Sequence, residues 1–201
     1  MLNCLYPPFR HWSERGAIWV YSDPHFGNLE MQRRRGVTDE EQVRNINACV
    51  GKNDTLIILG DVGDVETCRM LRGYKVLVMG NHDAGKTKYT DVFDEVYDGP
   101  VWIAEKLLLS HEPLLLGFVF NVHGHDHACT ADEWWTATHM NVCAESICYE
   151  PVNLTALIKI GLTSGVVSLH RREINDAILR KQTREAHIKI PRRDSDVAKG
   201  E

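Results

Sequence analysis

Five short apolar runs punctuate the chain, and each one ends in a polar residue able to bind a metal. AIWVYS (17–22) leads into Asp23, TLIILG (55–60) into Asp61, KVLVMG (75–80) into Asn81, KLLLS (106–110) into His111, and FVFNVHG (118–124) into His125. Runs of this length, aliphatic and closed by glycine or serine, predict strands. Between them lie helix-like stretches. Thr38 to Val50 opens with a capping-box pattern, Thr38 with Glu41 three residues on, and sets Val43, Ile46 and Val50 on one stripe, so it reads as a helix. Val65 to Arg72 reads as a second, short helix that returns the chain to the strand beginning near Lys75. The alternation predicts an α/β layered fold. Trp102 to Leu109, Phe118 to His123 and His139 to Cys143 follow one another closely, which predicts antiparallel strands rather than further crossover units. The outcome is a mixed sheet, or two sheets packed face to face between helices. Arg171 to Gln182, with Ile174 and Ile178 four apart, reads as a C-terminal helix, and 183–201 as a flexible tail.

At 201 residues the chain fits a single domain, 1–201 with a core of about 15–170, long enough to bury a core without covalent staples. Six scattered cysteines with no CxxC spacing predict reduced thiols and a cytoplasmic setting. No run approaches the roughly 20 apolar residues of a membrane span. The net charge of -5 is unevenly placed: residues 171–201 hold nine Lys or Arg against six Asp or Glu, which leaves the body at -8. An acidic body argues against a broad nucleic-acid cradle, since phosphate binding rests on clustered positive charge.

The polar residues at the strand ends form a series: Asp23 and His25, Asp61, Asn81 and His82, His111, then His125 and His127. An open sheet builds sites at the carboxyl ends of its strands, and eight such groups, two of them carboxylates, suit a pair of divalent metals better than one. Asp23 and His25, two apart, can face one metal. Asp61, after Gly60, is the natural bridging ligand, because each carboxylate oxygen can serve a different cation. Asn81, after Gly80, repeats that geometry with a neutral ligand, and His125 and His127 can each face a different metal.

Those blocks, D-x-H, GD, GNHD, H and GHDH in that order, resemble the calcineurin-like metallophosphoesterase superfamily over about Tyr21 to Val152. The resemblance implies a β-sandwich of mixed sheets flanked by helices. It implies Asp23, His25, Asp61 and His127 on a first metal and Asp61, Asn81, His111 and His125 on a second. His82 takes the catalytic position, stabilising transition-state charge and protonating the leaving oxygen, with Asp83 either accepting a hydrogen bond from His82 or acting as a turn or cap residue. The implied reaction is hydrolysis of a phosphodiester or phosphomonoester of small size, by attack of a metal-bridging hydroxide. Carboxylate, amide and imidazole ligands accept Mn, Fe, Zn, Co or Ni. A nuclease of the same superfamily is the alternative enzyme reading, less favoured for want of basic surface, and a non-catalytic scaffold ranks below both because no position of the pattern is lost.

Within the superfamily, SDPHFGN (22–28) and NVCAESICYEPVNL (141–154) resemble the small bacterial and phage phosphoesterases, with Asn28 where that group has histidine and Cys143 where it has glycine. Asp61 is followed by VGDVE, without the arginine of Ser/Thr protein phosphatases, which disfavours that activity. Four further features carry lesser expectations. His123 is expected to satisfy a backbone carbonyl, and His139 to line the cleft or face solvent. Trp134 and Trp135 are placed to stack on a leaving group or anchor a loop. Arg33, Arg34 and Arg35 form the basic run nearest the first block, either a phosphate clamp or a solvated face.

Overall fold

A computed structural model describes residues 3–127, 138–163 and 166. The expected C-terminal helix and tail, and Cys129, Trp134 and Trp135, lie outside the described residues. Strands β1 (Ile18–Tyr21), β2 (Thr55–Leu59), β3 (Tyr74–Val78) and β4 (Glu95–Tyr97) run parallel, and β9 (Val152–Asn153) joins antiparallel beside β1, giving the order β4-β3-β2-β1-β9. A second sheet has the order β5-β6-β7-β8, from β5 (Val101–Ala104), β6 (Leu107–Leu109), β7 (Phe120–His123) and β8 (His139–Asn141).

Strand β2 shows why the first sheet reads as unbroken apolar sequence: all five residues are buried, because both faces are covered. With a side-chain period of two, Ile57 and Leu59 point into the layer between the sheets. There they join Val20, Val76 and Val78 against Ile103, Leu107, Leu109, Phe120 and Val122. Leu56 and Ile58 point the other way, to Val43 and Ile46 of α3 (Asp39–Cys49) and to its C-cap Val50. The predicted capping box of α3 is complete: the Glu41 N–H donates to Thr38 Oγ1 at 3.2 Å, and the Thr38 N–H donates to Glu41 Oε2 at 2.9 Å. Trp12 of α1 (Arg10–Arg15) and Leu154, Leu157 and Ile158 of α5 (Leu154–Thr163) enter the inter-sheet core. Among the described residues no helix is long and apolar enough to cross a membrane, and Cys49, Cys68, Cys143 and Cys148 are free thiols.

Two expectations need correction. The helix expected over Val65 to Arg72 is only α4 (Val65–Cys68), capped by Asp64. The N–H groups of Arg69, Met70 and Leu71 each bond three residues back, and tightened turns of that kind end a helix before Gly73 (φ +86°) turns the chain into β3. The later strands are antiparallel only at β5-β6, while β6-β7 and β7-β8 are parallel. The ten residues between β6 and β7 carry the chain back without a helix, and the site depends on this: parallel β6 and β7 both deliver their carboxyl ends to the same edge.

Candidate metal centre

At that edge the two sheets meet. Tyr21 pairs with Ile58 and Leu59 with Val78, so Asp23, Asp61 and Asn81 emerge side by side, while Leu109 pairs with Val122 and sends His111 and His125 toward them. A parallel bridge between Ser22 and Cys143, with the Ala144 N–H donating to the Ser22 carbonyl at 3.0 Å, ties the sheets at this point. All seven residues read as metal ligands are brought together, with His82 on the rim, its ring centroid 5.9 Å from that of His25.

The backbone is bent to achieve this. Among the described residues six non-glycines have positive φ, and four of them are Asp23 (56°), His25 (50°), Asp61 (52°) and His125 (69°). Each such residue costs about 1–3 kcal/mol, and residues held this way concentrate at functional sites. Close glycines make room. A Cβ on Gly60 (φ +84°) would lie 2.6 Å from Gly80 Cα, and one on Gly124 would lie 1.9 Å from Ser22 Oγ and 2.2 Å from Asp23 Oδ2.

The donor atoms form two clusters that share Asp61. In the first, His25 Nε2 lies 3.2 Å from His127 Nε2, 3.9 Å from Asp23 Oδ1 and 3.6 Å from Asp61 Oδ2, and His127 Nε2 is 3.6 Å from Asp23 Oδ1. In the second, His111 Nε2 lies 2.8 Å from Asn81 Oδ1, 3.1 Å from His125 Nδ1 and 3.5 Å from Asp61 Oδ1, and His125 Nδ1 is 3.1 Å from Asn81 Oδ1. One Asp61 oxygen thus faces each cluster. Metal ions fit this donor set on three grounds. Asp23 Oδ1 is fully buried with no hydrogen-bond partner, and buried carboxylate oxygens are rarely left so unless a cation takes them. Paired imidazole nitrogens at 3.1–3.2 Å would oppose lone pairs unless a proton or cation lies between them. Finally, the outer nitrogens are already committed. His111 Nδ1 donates to the Leu59 carbonyl at 2.9 Å, and His127 Nδ1 donates to Glu145 Oε1 at 3.1 Å, which leaves both Nε2 lone pairs inward.

The surroundings set the charge states. Burial lowers the pKa of His25, against the pull of Asp61 and Asp23, and so favours the neutral, ligating imidazole. The hydrogen bond to Glu145 raises that of His127. Burial, followed by the charge of Asp23, pushes the Cys143 thiol far up; it stays S–H and reaches Asp23 Oδ2 at 3.0 Å.

Asp83 does not serve His82. Its Oδ2 accepts the N–H of Asp61 at 2.9 Å and of Gly80 at 2.8 Å, and its Oδ1 accepts the N–H of Val62 at 3.0 Å and the Tyr89 hydroxyl at 3.3 Å. A carboxylate so engaged holds the Asp61 turn against the Asn81 turn, which is the turn role and not the catalytic one. His82 is instead placed by its backbone, whose N–H donates to Asp61 Oδ1 at 2.9 Å. Asn28 is the N-cap of α2 (Leu29–Arg35), accepting the N–H groups of Glu30 and Met31, both at 3.1 Å. His123 donates to the Gly124 carbonyl at 2.9 Å, as expected of a strand histidine, and His139 is buried beside it in β8, neither facing solvent nor in the ligand clusters. Of the arginine run, Arg34 pairs with Glu30 at the surface, whereas the side chain of Arg35 is buried and turned inward to Glu145 and the Asp23–Pro24 carbonyls. Arg35 is therefore no free phosphate clamp. Glu145 carried no expectation at all; its signal was only its place two residues after Cys143.

The chain matches the calcineurin-like phosphoesterase family over residues 16–168. Among solved structures it is similar to a protein of unknown function from Aquifex aeolicus (24% identity, 72% of this chain and 98% of that one, TM-score 0.58). It also aligns with the nuclease MPE of Pseudomonas putida (24% identity, 63% of this chain and 67% of that one, TM-score 0.42). No curated protein matches it significantly. With a family match across most of its length, a two-sheet fold and the block residues gathered at one edge, the chain belongs to the calcineurin-like phosphoesterase family.

Proposed function

We propose that the protein is a binuclear metal-dependent phosphoesterase that hydrolyses a small phosphodiester or phosphomonoester. The observation that carries this is Asp61, with one oxygen toward the His25–His127 cluster and the other toward the Asn81–His111–His125 cluster. Asp23, His25, Asp61 and His127 would hold one divalent ion, and Asp61, Asn81, His111 and His125 the other. When bound, two such ions supply a nucleophile by lowering the pKa of water and offset the charge of the phosphoryl oxygens. The chain's own residues do the rest. Asp83 and the buried Asp23 hold the ligand turns rigid, so little reorganisation accompanies reaction. His82, exposed at the rim and fixed through its main chain to Asp61, donates a proton to the departing oxygen. With Arg35 committed to internal bonds, binding of the scissile phosphate falls to the metals and His82, which suits a small substrate better than a long polyanion.

The test is elemental mass spectrometry of protein purified without chelators, paired with Mn²⁺-supported hydrolysis of chromogenic phosphodiester and phosphomonoester substrates. About two transition-metal ions per chain are expected from the paired clusters, falling sharply in Asp61→Asn. His82→Ala should keep its metal and lose turnover. Metal that stays substoichiometric after reconstitution and ignores the Asp61 change would overturn the binuclear reading.

A further inference from the structure

The two clusters orient their inner histidines by different means. In the second, His111 leans on the backbone carbonyl of Leu59 at 2.9 Å. In the first, His127 leans on a side-chain carboxylate, Glu145 Oε1 at 3.1 Å, and that same oxygen accepts Arg35 Nε at 2.6 Å. The Arg35 side chain is 3% exposed, and its two other nitrogens donate to the carbonyls of Pro24 and Asp23, each at 2.8 Å, with Nη2 also 3.5 Å from His127 Nδ1, farther than the Glu145 oxygen to which that nitrogen donates. Those carbonyls belong to the turn in which Asp23 and His25 adopt positive φ. One buried guanidinium thus grips the strained turn that presents two ligands of the first cluster and, through Glu145, the imidazole that presents a third.

We infer that Glu145 and Arg35 are positioning residues that make the two metal sites unequal, tightening the first over the second. The physical basis is the charge of the hydrogen-bond acceptor. A carboxylate behind an imidazole fixes its tautomer and makes the far nitrogen a stronger donor, and loss of such partners typically lowers metal affinity by about 10–100-fold. A carbonyl fixes the tautomer without adding charge. Arg35 keeps Glu145 in register, because its planar fork matches the carboxylate and two carbonyls at once, a geometry that lysine cannot reproduce. Residue positions support a local effect: Glu145 Oε1 meets His127 and Arg35, while Leu59 stands behind His111 of the second cluster and Asp83 holds the turn of Asp61, which both clusters share.

The inference rests on the binuclear reading above, and its test separates the two. Chelator-stripped wild type, Glu145→Ala, Glu145→Gln, Arg35→Lys and, as control, the surface variant Arg34→Ala are titrated with Mn²⁺ and with Co²⁺ by calorimetry, with the Co²⁺ absorption spectrum recorded at each step. Wild type and Arg34→Ala are expected to bind in two steps of unequal affinity. Glu145→Ala should weaken the tighter step by about 10–100-fold and leave the weaker one unchanged, and Arg35→Lys should weaken the same step by less. In Glu145→Gln, which offers His127 an amide oxygen of the same size without the charge, the loss should fall between wild type and alanine. Unfolding of Glu145→Ala would leave the decision to glutamine and lysine. Variants that bind both ions as wild type does, or that weaken both steps equally, would overturn the inference. Wild type that binds fewer than two ions after reconstitution would instead overturn the binuclear reading on which it rests.

Discussion

Two carboxylates, half-buried Glu95 and fully buried Asp23, are treated in opposite ways. Glu95, at the start of β4, is surrounded by donors: His11 Nε2 at 2.7 Å and Trp12 Nε1 at 2.8 Å on Oε1, the Tyr97 hydroxyl on Oε2, and Tyr74 as well. Both oxygens are satisfied, and the carboxylate pins α1 to the edge of the sheet. Asp23 is more deeply buried, yet only Oδ2 is served, by the His125 N–H at 2.9 Å and the Cys143 thiol at 3.0 Å, with the Ser22 hydroxyl alongside. Oδ1 faces imidazoles at 3.6–3.9 Å and accepts from none of them. The difference separates a carboxylate that stabilises the fold by itself from one whose burial is unfavourable until a cation arrives.

The largest effect should come from removing the unsatisfied charge. In Asp23→Asn the first ion is expected to be lost and phosphoesterase turnover to fall about a thousandfold, roughly 4 kcal/mol. The melting temperature of the metal-free protein should stay level or rise, because an uncompensated buried charge has gone. Calorimetry on chelator-treated protein, beside metal content, checks both halves. A metal-free variant that melts well below wild type would erase the contrast with Glu95.

Next is Gly124→Ala, which strikes the satisfied half of Asp23. The added methyl would stand 1.9 Å from Ser22 Oγ and 2.2 Å from Asp23 Oδ2, too close for either to remain. Overpacking of this kind costs about 3 kcal/mol, and thermal melts with and without Mn²⁺ should show metal-free stability and metal protection falling together.

Glu95→Gln should do the reverse of Asp23→Asn. Losing a charged acceptor for several donors costs about 2 kcal/mol, or about 4–8 °C in a domain of this size, while metal content and turnover stay at wild-type levels. The pH dependence sharpens this. Burial acts to raise the pKa of Glu95, but the hydrogen bonds from Tyr97, His11 and Trp12 outweigh it and hold the carboxyl below its usual range. A depressed folded value means that the stabilisation is fully present above the unfolded pKa of about 4.3 and is lost as the pH falls through the lower folded one. The melting difference between wild type and Glu95→Gln should therefore be widest near neutrality and close below about pH 4. A difference that widened on acidification would refute this account of Glu95.

The same contrast explains what could be read from sequence. Asp61 and Asn81 were legible because each follows a glycine at the end of an apolar run, a local pattern that parallel pairing converts directly into neighbours. The α3 cap was legible for the same reason: Thr38 and Glu41 bond to each other. The direction of β7 against β6 was not, because a ten-residue connection between them contains no helix period to announce a crossover. Nor was the work of Asp83 or Arg35. GNHD has the same letters whether Asp83 faces His82 or the Asp61 turn, and three consecutive arginines look like a solvated face until α2 is seen to turn the third inward. The positive φ of Asp23, His25, Asp61 and His125 was hidden for a deeper reason. Asp and His tolerate that region better than most residues, but which of them adopt it here is set by surrounding contacts, and those contacts are long-range.

Asn28 offers the smallest and most local test. Its side chain caps α2, the helix that ends in Arg35, and a cap of this kind is worth about 1 kcal/mol. Asn28→Ala should lower the melting temperature by about 2–4 °C, and Asn28→Ser, which restores an acceptor for the same two N–H groups, should recover most of it. Neither change touches a ligand atom. If Asn28 acts on the centre only by starting the helix, any loss of affinity should be confined to the tighter Mn²⁺ step that Arg35 supports and should vanish in the serine variant. A turnover defect that persisted in Asn28→Ser with both metal steps intact would assign the asparagine side chain a direct part in handling substrate, and would move it from the satisfied, fold-holding group that Glu95 exemplifies to the company of Asp23.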